Sequence, residues 1–204
     1  MNNKKSIWFI SAKAMLMSFF SSIISFMLNC LIVVIATDKF FAGDAVGTRI
    51  IMQVVGLFCQ LIFFYGLLWD TGHNDAQLNR LGQAKYPIWR GLIIGLIAAI
   101  PYYIMSVLMM LMTFDLIPDI TGLLRALSSQ FWGLYTFLLP VATGGAAEIG
   151  KIEIATSTAQ PWQAILAVFV PTLMVPIAQL PYYLGRIGFE LESKIFFKSN
   201  KKKK

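Results

Sequence analysis

Metal ligands cluster at only one place in this chain, the stretch WDTGHND at 69–75, where Asp70, His73 and Asp75 offer two carboxylates and an imidazole. Divalent ions accept such a donor set. The spacing, however, lacks the late acidic ligand of an EF-hand and the second histidine of a zincin. It reads as a solvated turn capping the helix before it, with Asp70 and Asn74 as turn residues, and no metal is expected. His73 is the one histidine, and Cys59 lies ten residues before the end of an uncharged stretch at 50–69, so a Cys-His nucleophile is not expected either. Gly144-Gly145 is not followed by the Lys-Ser/Thr that a phosphate loop needs. The chain is expected to be non-enzymatic and to carry no cofactor.

The remaining polar residues with a usable pattern are neutral. Ser18, Ser22, Ser25 and Asn29 follow i, i+4, i+7, i+11, and Gln53, Gly56 and Gln60 follow i, i+3, i+7. Each set forms one helix stripe. Gln179 adds a further amide. Two readings of Asn29, Gln53, Gln60 and Gln179 stand side by side: a hydrophilic site between the first, second and fifth apolar segments, or interhelical packing in which amides satisfy one another at about 1 kcal/mol per bond. Convergence on a wet cavity favours the first, and pairing in a dry core favours the second.

These residues lie in stretches that must cross a membrane. Residues 14–36, 50–69, 91–114, 126–147 and 162–185 contain no Asp, Glu, Lys, Arg or His. A bilayer crossing takes about 20 apolar residues. The fold expected is an all-α integral membrane bundle forming one domain over 1–204. Unbroken apolar runs exclude a β-barrel, whose strands alternate. Because ionisable groups usually carry proton coupling within membranes, their absence from these stretches disfavours a proton-driven pump. Cys30 and Cys59 both fall inside spans and are expected as free thiols.

Lysine and arginine set the topology, since basic flanks tend to stay cytoplasmic. Five crossings with the N-terminus inside leave seven basic residues inside and ten outside; four crossings leave thirteen inside and four outside. Four full spans are therefore expected, with both termini cytoplasmic. The segment at 126–147, interrupted by Ser128, Ser129, Gln130, Thr136, Pro140, Thr143, Gly144 and Gly145, is the one that does not cross. It would be re-entrant or interfacial, five ordinary helices being the alternative. Trp8, Trp69, Trp89 and Trp162 mark interfaces, and Pro87 a break before the third helix.

Gly91-x-x-x-Gly95 with Ala98 and Ala99 is a helix-packing surface, and Pro171, Pro176 and Pro181 should interrupt the last span. Residues 96–104 (LIAAIPYYI) and 176–184 (PIAQLPYYL) agree at five of nine positions, too short a match to establish a repeat. The tail at 186–204, ending in four lysines, is expected to bind the anionic inner leaflet, each lysine contributing about 1 kcal/mol, and not nucleic acid.

The stretch YGLLWDTGHND (65–75), with Arg90-Gly91, GLIAAIP (95–101) and LGRIG (184–188) before a basic tail, resembles a group of uncharacterised small membrane proteins of Gram-positive bacteria. The resemblance implies a bacterial cytoplasmic membrane and lends no activity. Two functions remain in view. The favoured one is a small-solute or ion transport component with its site between the first, second and fifth apolar segments; the alternative is an accessory or scaffold subunit that contacts other membrane proteins.

Overall fold

The computed structural model describes residues 6–35, 45–114, 116–118, 120–138 and 161–189. The helices are α1 (Ile7–Ile35), α2 (Ala45–Arg80), α3 (Arg90–Thr113), α4 (Thr121–Leu127), α5 (Trp132–Leu138), α6 (Pro161–Val168) and α7 (Met174–Arg186). Among the described residues there is no strand. Four helical stretches, Ile7–Val34, Gly47–Arg80, Arg90–Met112 and Trp162–Arg186, are long and apolar enough to span a bilayer. The chain is an all-α membrane bundle.

The first span presents large apolar residues outward and small or polar ones inward, whereas α2 and α3 also bury large apolar side chains such as Phe64, Leu68, Ile94 and Met109. On α1, Leu16, Phe20, Ile23, Met27, Leu31 and Val34 are exposed while Ala14, Ser18, Ser22, Ser25 and Asn29 are buried. Lipid is as apolar as leucine, so burial in water's sense does not drive this packing; close approach of backbones and hydrogen bonds do. Glycines supply the close approach. A Cβ on Gly91 or Gly95 would meet Gln179, Tyr182 or Ala178 of α7, which runs antiparallel to α3, and a Cβ on Gly72 or Gly185 would overlap backbone where α2 crosses α7.

The described spans bring the start of α1, the end of α2, the start of α3 and the end of α7 to one face of the bundle. Ile10 lies beside Thr71 and Asp75 there, and Arg90 and Tyr182 reach the same carboxylate. At about 54 Å, the 36-residue α2 outruns a hydrocarbon core of about 30 Å. Its last turns are therefore helical where the sequence suggested a solvated turn. Asp75 stays in the helix because partners from α3 and α7 satisfy it. The helix ends in Gly82, whose φ of 67° lets the N–H groups of Gly82 and Gln83 turn back onto Asn79 and Leu78 carbonyls.

Of the three prolines expected to interrupt the last span only Pro171 does so, Pro176 and Pro181 lying within the unbroken α7. Between α6 and α7 the backbone tightens to a 3-10 turn over Val170–Leu173 that contains Pro171, and Pro181 sits inside α7. Pro101 likewise lies inside α3. Cys30 and Cys59 are free thiols. Residues 190–204, where the lysine tail falls, and 139–160 lie outside the described residues.

Candidate functional site

Between α3 and α6 the chain folds into the bundle and back. α4 is seven residues long, a 3-10 turn follows over Ser129–Phe131, and α5 is again seven residues long. Neither helix exceeds about 10 Å, a third of a crossing. The corner between them reaches Ser18 and Ser22 near the middle of α1, whereas Phe137 near the end of α5 lies against the guanidinium of Arg49, close to the start of α2. The segment thus enters and leaves on one side. It is re-entrant.

A bent backbone at that depth exposes carbonyls and N–H groups that lipid cannot satisfy. Amides from the neighbouring spans do so. Gln53 Nε2 donates to the Gln130 carbonyl at 3.2 Å, and Gln53 Oε1 accepts from Leu134 N at 3.0 Å, capping the first turn of α5. Asn29 Nδ2 donates to the Ser129 carbonyl at 3.0 Å. Ser129 Oγ donates to the Ser22 carbonyl, tying the corner to α1. Gly56 and Gly133 leave room for the contact: a Cβ on Gly56 would sit 2.5 Å from the Gln130 carbonyl oxygen, and one on Gly133 would overlap the Arg49 carbonyl.

Side chains close the rest of the space. Ser18 Oγ lies 3.3 Å from Gln60 Oε1 and 3.0 Å from Tyr102 Oη; Ser22 Oγ lies 3.0 Å from Tyr102 Oη and donates to Gln130 Oε1. Gln130 Nε2 points to Ser18 Oγ at 3.4 Å. One proton assignment uses every hydroxyl once: Ser18 to Gln60, Ser22 to Gln130, and Tyr102 to Ser22. Above this cluster Tyr135 and Ser106 share a 2.6 Å bond. Gln60, Gln130 and Tyr102 are fully buried. Of the amide groups of Gln53, Gln60 and Gln130, only Gln60 Nε2 has no partner among the described residues.

Three of the four amides singled out in the sequence, Asn29, Gln53 and Gln60, meet at this corner. Gln179 does not. It sits two turns before the end of α7 and donates to the Ile88 carbonyl at 3.1 Å, in the connection before α3. The sequence reading missed the corner's own contribution, Ser129 and Gln130, and the two tyrosines. The signals were present: Ser128-Ser129-Gln130 interrupts an apolar run, and Tyr102 follows Pro101 within the matched stretch 96–104.

A second polar centre stands at the face where α2 emerges. Arg90 grips Asp75 through Nη1, 2.8 Å from Oδ1 and 2.7 Å from Oδ2, and both side chains are buried. Tyr182 donates to Asp75 Oδ2 at 2.9 Å, Arg90 stacks over the Tyr86 ring, and Arg186 donates to the Tyr86 carbonyl at 3.0 Å. Asn79 holds both the N–H and carbonyl of Tyr86. His73 stacks on Trp69 and pairs with Gln77. Asp75 is thus spent on an ion pair, and no metal-binding group of three residues exists among the described residues.

The fold and these centres define a class: a four-span helical membrane bundle with a re-entrant helix pair pinned by neutral side chains. Beyond the class, no family model, curated protein or solved structure matches the chain.

Proposed function

We propose that this chain is a non-enzymatic accessory subunit of a membrane complex and does not itself conduct a solute. One observation carries the reading: the middle of the bundle, where a path would run, is filled by the buried Ser18, Ser22, Gln60, Tyr102 and Gln130 cluster, whose bonds go to protein groups. A polar network used in this way fixes a unique packing, and of its amide ends only Gln60 Nε2 is left over, too few groups to replace a solute's hydration shell. The glycine faces are consumed inside the bundle. Contact with another subunit would then fall to the large apolar faces, such as Leu16, Phe20, Ile23 and Met27 on α1. The basic-residue asymmetry supports a bacterial cytoplasmic membrane with both termini on the cytoplasmic side and the tail on its anionic leaflet.

The second reading, a transport component, draws support from the re-entrant pair and the 3-10 break in the last span, because broken helices line substrate sites in many transporters. Mild-detergent extraction from native membranes separates the two when combined with osmotic swelling of liposomes holding the purified chain. The accessory reading predicts a particle well above the chain's 22.8 kDa and no swelling beyond that of protein-free liposomes. A bare 22.8 kDa chain that permeabilises liposomes in a saturable way contradicts it.

A further inference from the structure

Beside the re-entrant corner, away from the dry cluster, lies a cavity of about 320 Å3 walled by Phe26, Asn29, Cys30, Met52, Ser129 and Trp132, with Val33 completing it. Ligand pockets run from about 300 to 1,000 Å3, so this one admits a single small apolar body. It lies about 9 Å in from the end of α1, counting six residues from Asn29 to Ile35, in the half of the bundle opposite the Asp75–Arg90 pair. Cys30 is exposed on the lipid-facing side of α1, so the cavity opens laterally to the bilayer.

Asn29 brings a carbonyl oxygen to its wall. Asn29 is 4 % exposed, and its Oδ1 has no hydrogen-bond partner among the described residues. Its orientation is fixed, because Nδ2 must face the Ser129 carbonyl to donate to it, which leaves the oxygen as the free end. A buried carbonyl oxygen without a donor is costly in an apolar surrounding. Both ends of Gln53 and of Gln130 are engaged and the end left over on Gln60 is its Nε2, a donor, so among these amides the free carbonyl oxygen belongs to Asn29.

We infer that this cavity binds an apolar molecule carrying one hydroxyl donor, taken laterally from the bilayer, with the hydroxyl on Asn29 Oδ1 and the hydrocarbon against Phe26, Met52 and Trp132. A bare alkane would fill the space and leave Oδ1 unmet. The inference is independent of the accessory role proposed above, since an accessory subunit and a transport component alike can hold a lipid.

Trp132 is the reporter, because it lines the cavity yet is only 2 % exposed and so is shielded from bulk lipid. In nanodiscs, a chain with Trp8, Trp69, Trp89 and Trp162 replaced by Phe is titrated with a bromine-tagged long-chain alcohol, the matching bromoalkane and a bromine-tagged monoacylglycerol. The alcohol is expected to quench Trp132 saturably, with an apparent affinity about fivefold above the alkane's, the factor for one membrane hydrogen bond. Quenching by the monoacylglycerol as well identifies a membrane lipid as the source, and quenching by the free alcohol alone identifies a dissolved one. Asn29→Leu should erase the preference for alcohol. Cys30→Phe, which leaves Asn29 and the corner intact, should abolish saturable quenching without lowering the melting temperature. Quenching that rises linearly and equally for alcohol and alkane, unchanged in Cys30→Phe, overturns the inference.

Discussion

Two buried tyrosines follow prolines in matching stretches, Tyr102 after Pro101 and Tyr182 after Pro181, and each is the hub of a polar centre. Tyr102 sits at mid-depth among serines and glutamines. Tyr182 sits where α2 leaves the bilayer and meets Asp75 and Arg186, with Arg90 on the same carboxylate. The local device is the same and the partners differ by depth. Neutral groups can be satisfied in hydrocarbon by about 1 kcal/mol bonds, whereas a charge is tolerated only as a pair with further hydrogen bonds, and most cheaply near the interface. The mid-depth centre can thus shape backbone; the edge centre clamps helix ends.

Breaking the edge centre should have the largest effect. Arg90→Met leaves Asp75 buried without its counter-charge and should cost about 3–5 kcal/mol, read as a lower unfolding midpoint in detergent. Asp75→Asn on top of it should recover part of the loss. An unchanged midpoint in the single variant would place the pair in water and erase the contrast. At the mid-depth centre, Gly56→Ala pushes a Cβ into the Gln130 backbone and should cost about 1–3 kcal/mol. Gly66→Ala, on the same helix with nothing within 4 Å, should be neutral or stabilise by up to about 1 kcal/mol.

The tyrosines themselves sharpen the comparison. Tyr182→Phe removes a donor from a carboxylate and should cost about 1.5–3 kcal/mol, while Tyr102→Phe, among neutral partners, should cost about 0.6–1 kcal/mol. Equal losses would mean that depth does not set the value of the bond. The smallest effect is expected at His73. His73→Ala should move stability by no more than about 0.5 kcal/mol, and zinc or a chelator should leave the melting curve in place.

Much of the mid-depth centre is visible in the sequence, because Gln53, Gly56 and Gln60 mark one helix face and Ser18, Ser22 and Asn29 another. What periodicity cannot reveal is the partner. Gln130 sits in the 3-10 turn between two seven-residue helices, each too short to show a period, so it registers only as an interruption. The edge centre was hidden for a different reason. Asp75 and Arg90 lie fifteen residues apart on two helices, and only the pairing of the end of α2 with the start of α3 turns an apparent solvated turn into a buried ion pair. Gln179 was misleading because composition places it in a span while its height on α7 places it beside Ile88.

Everything above depends on the re-entrant geometry, and an impermeant thiol reagent applied to intact cells tests it most directly. Single cysteines at Gln83, Leu116 and Trp162, all exposed, are compared in a chain with Cys30 and Cys59 replaced by serine. The account predicts that Leu116→Cys and Trp162→Cys label together from outside, while Gln83→Cys labels only after lysis. Labelling of Leu116→Cys and Trp162→Cys from opposite sides would show that the segment between them crosses the membrane, contradicting the account.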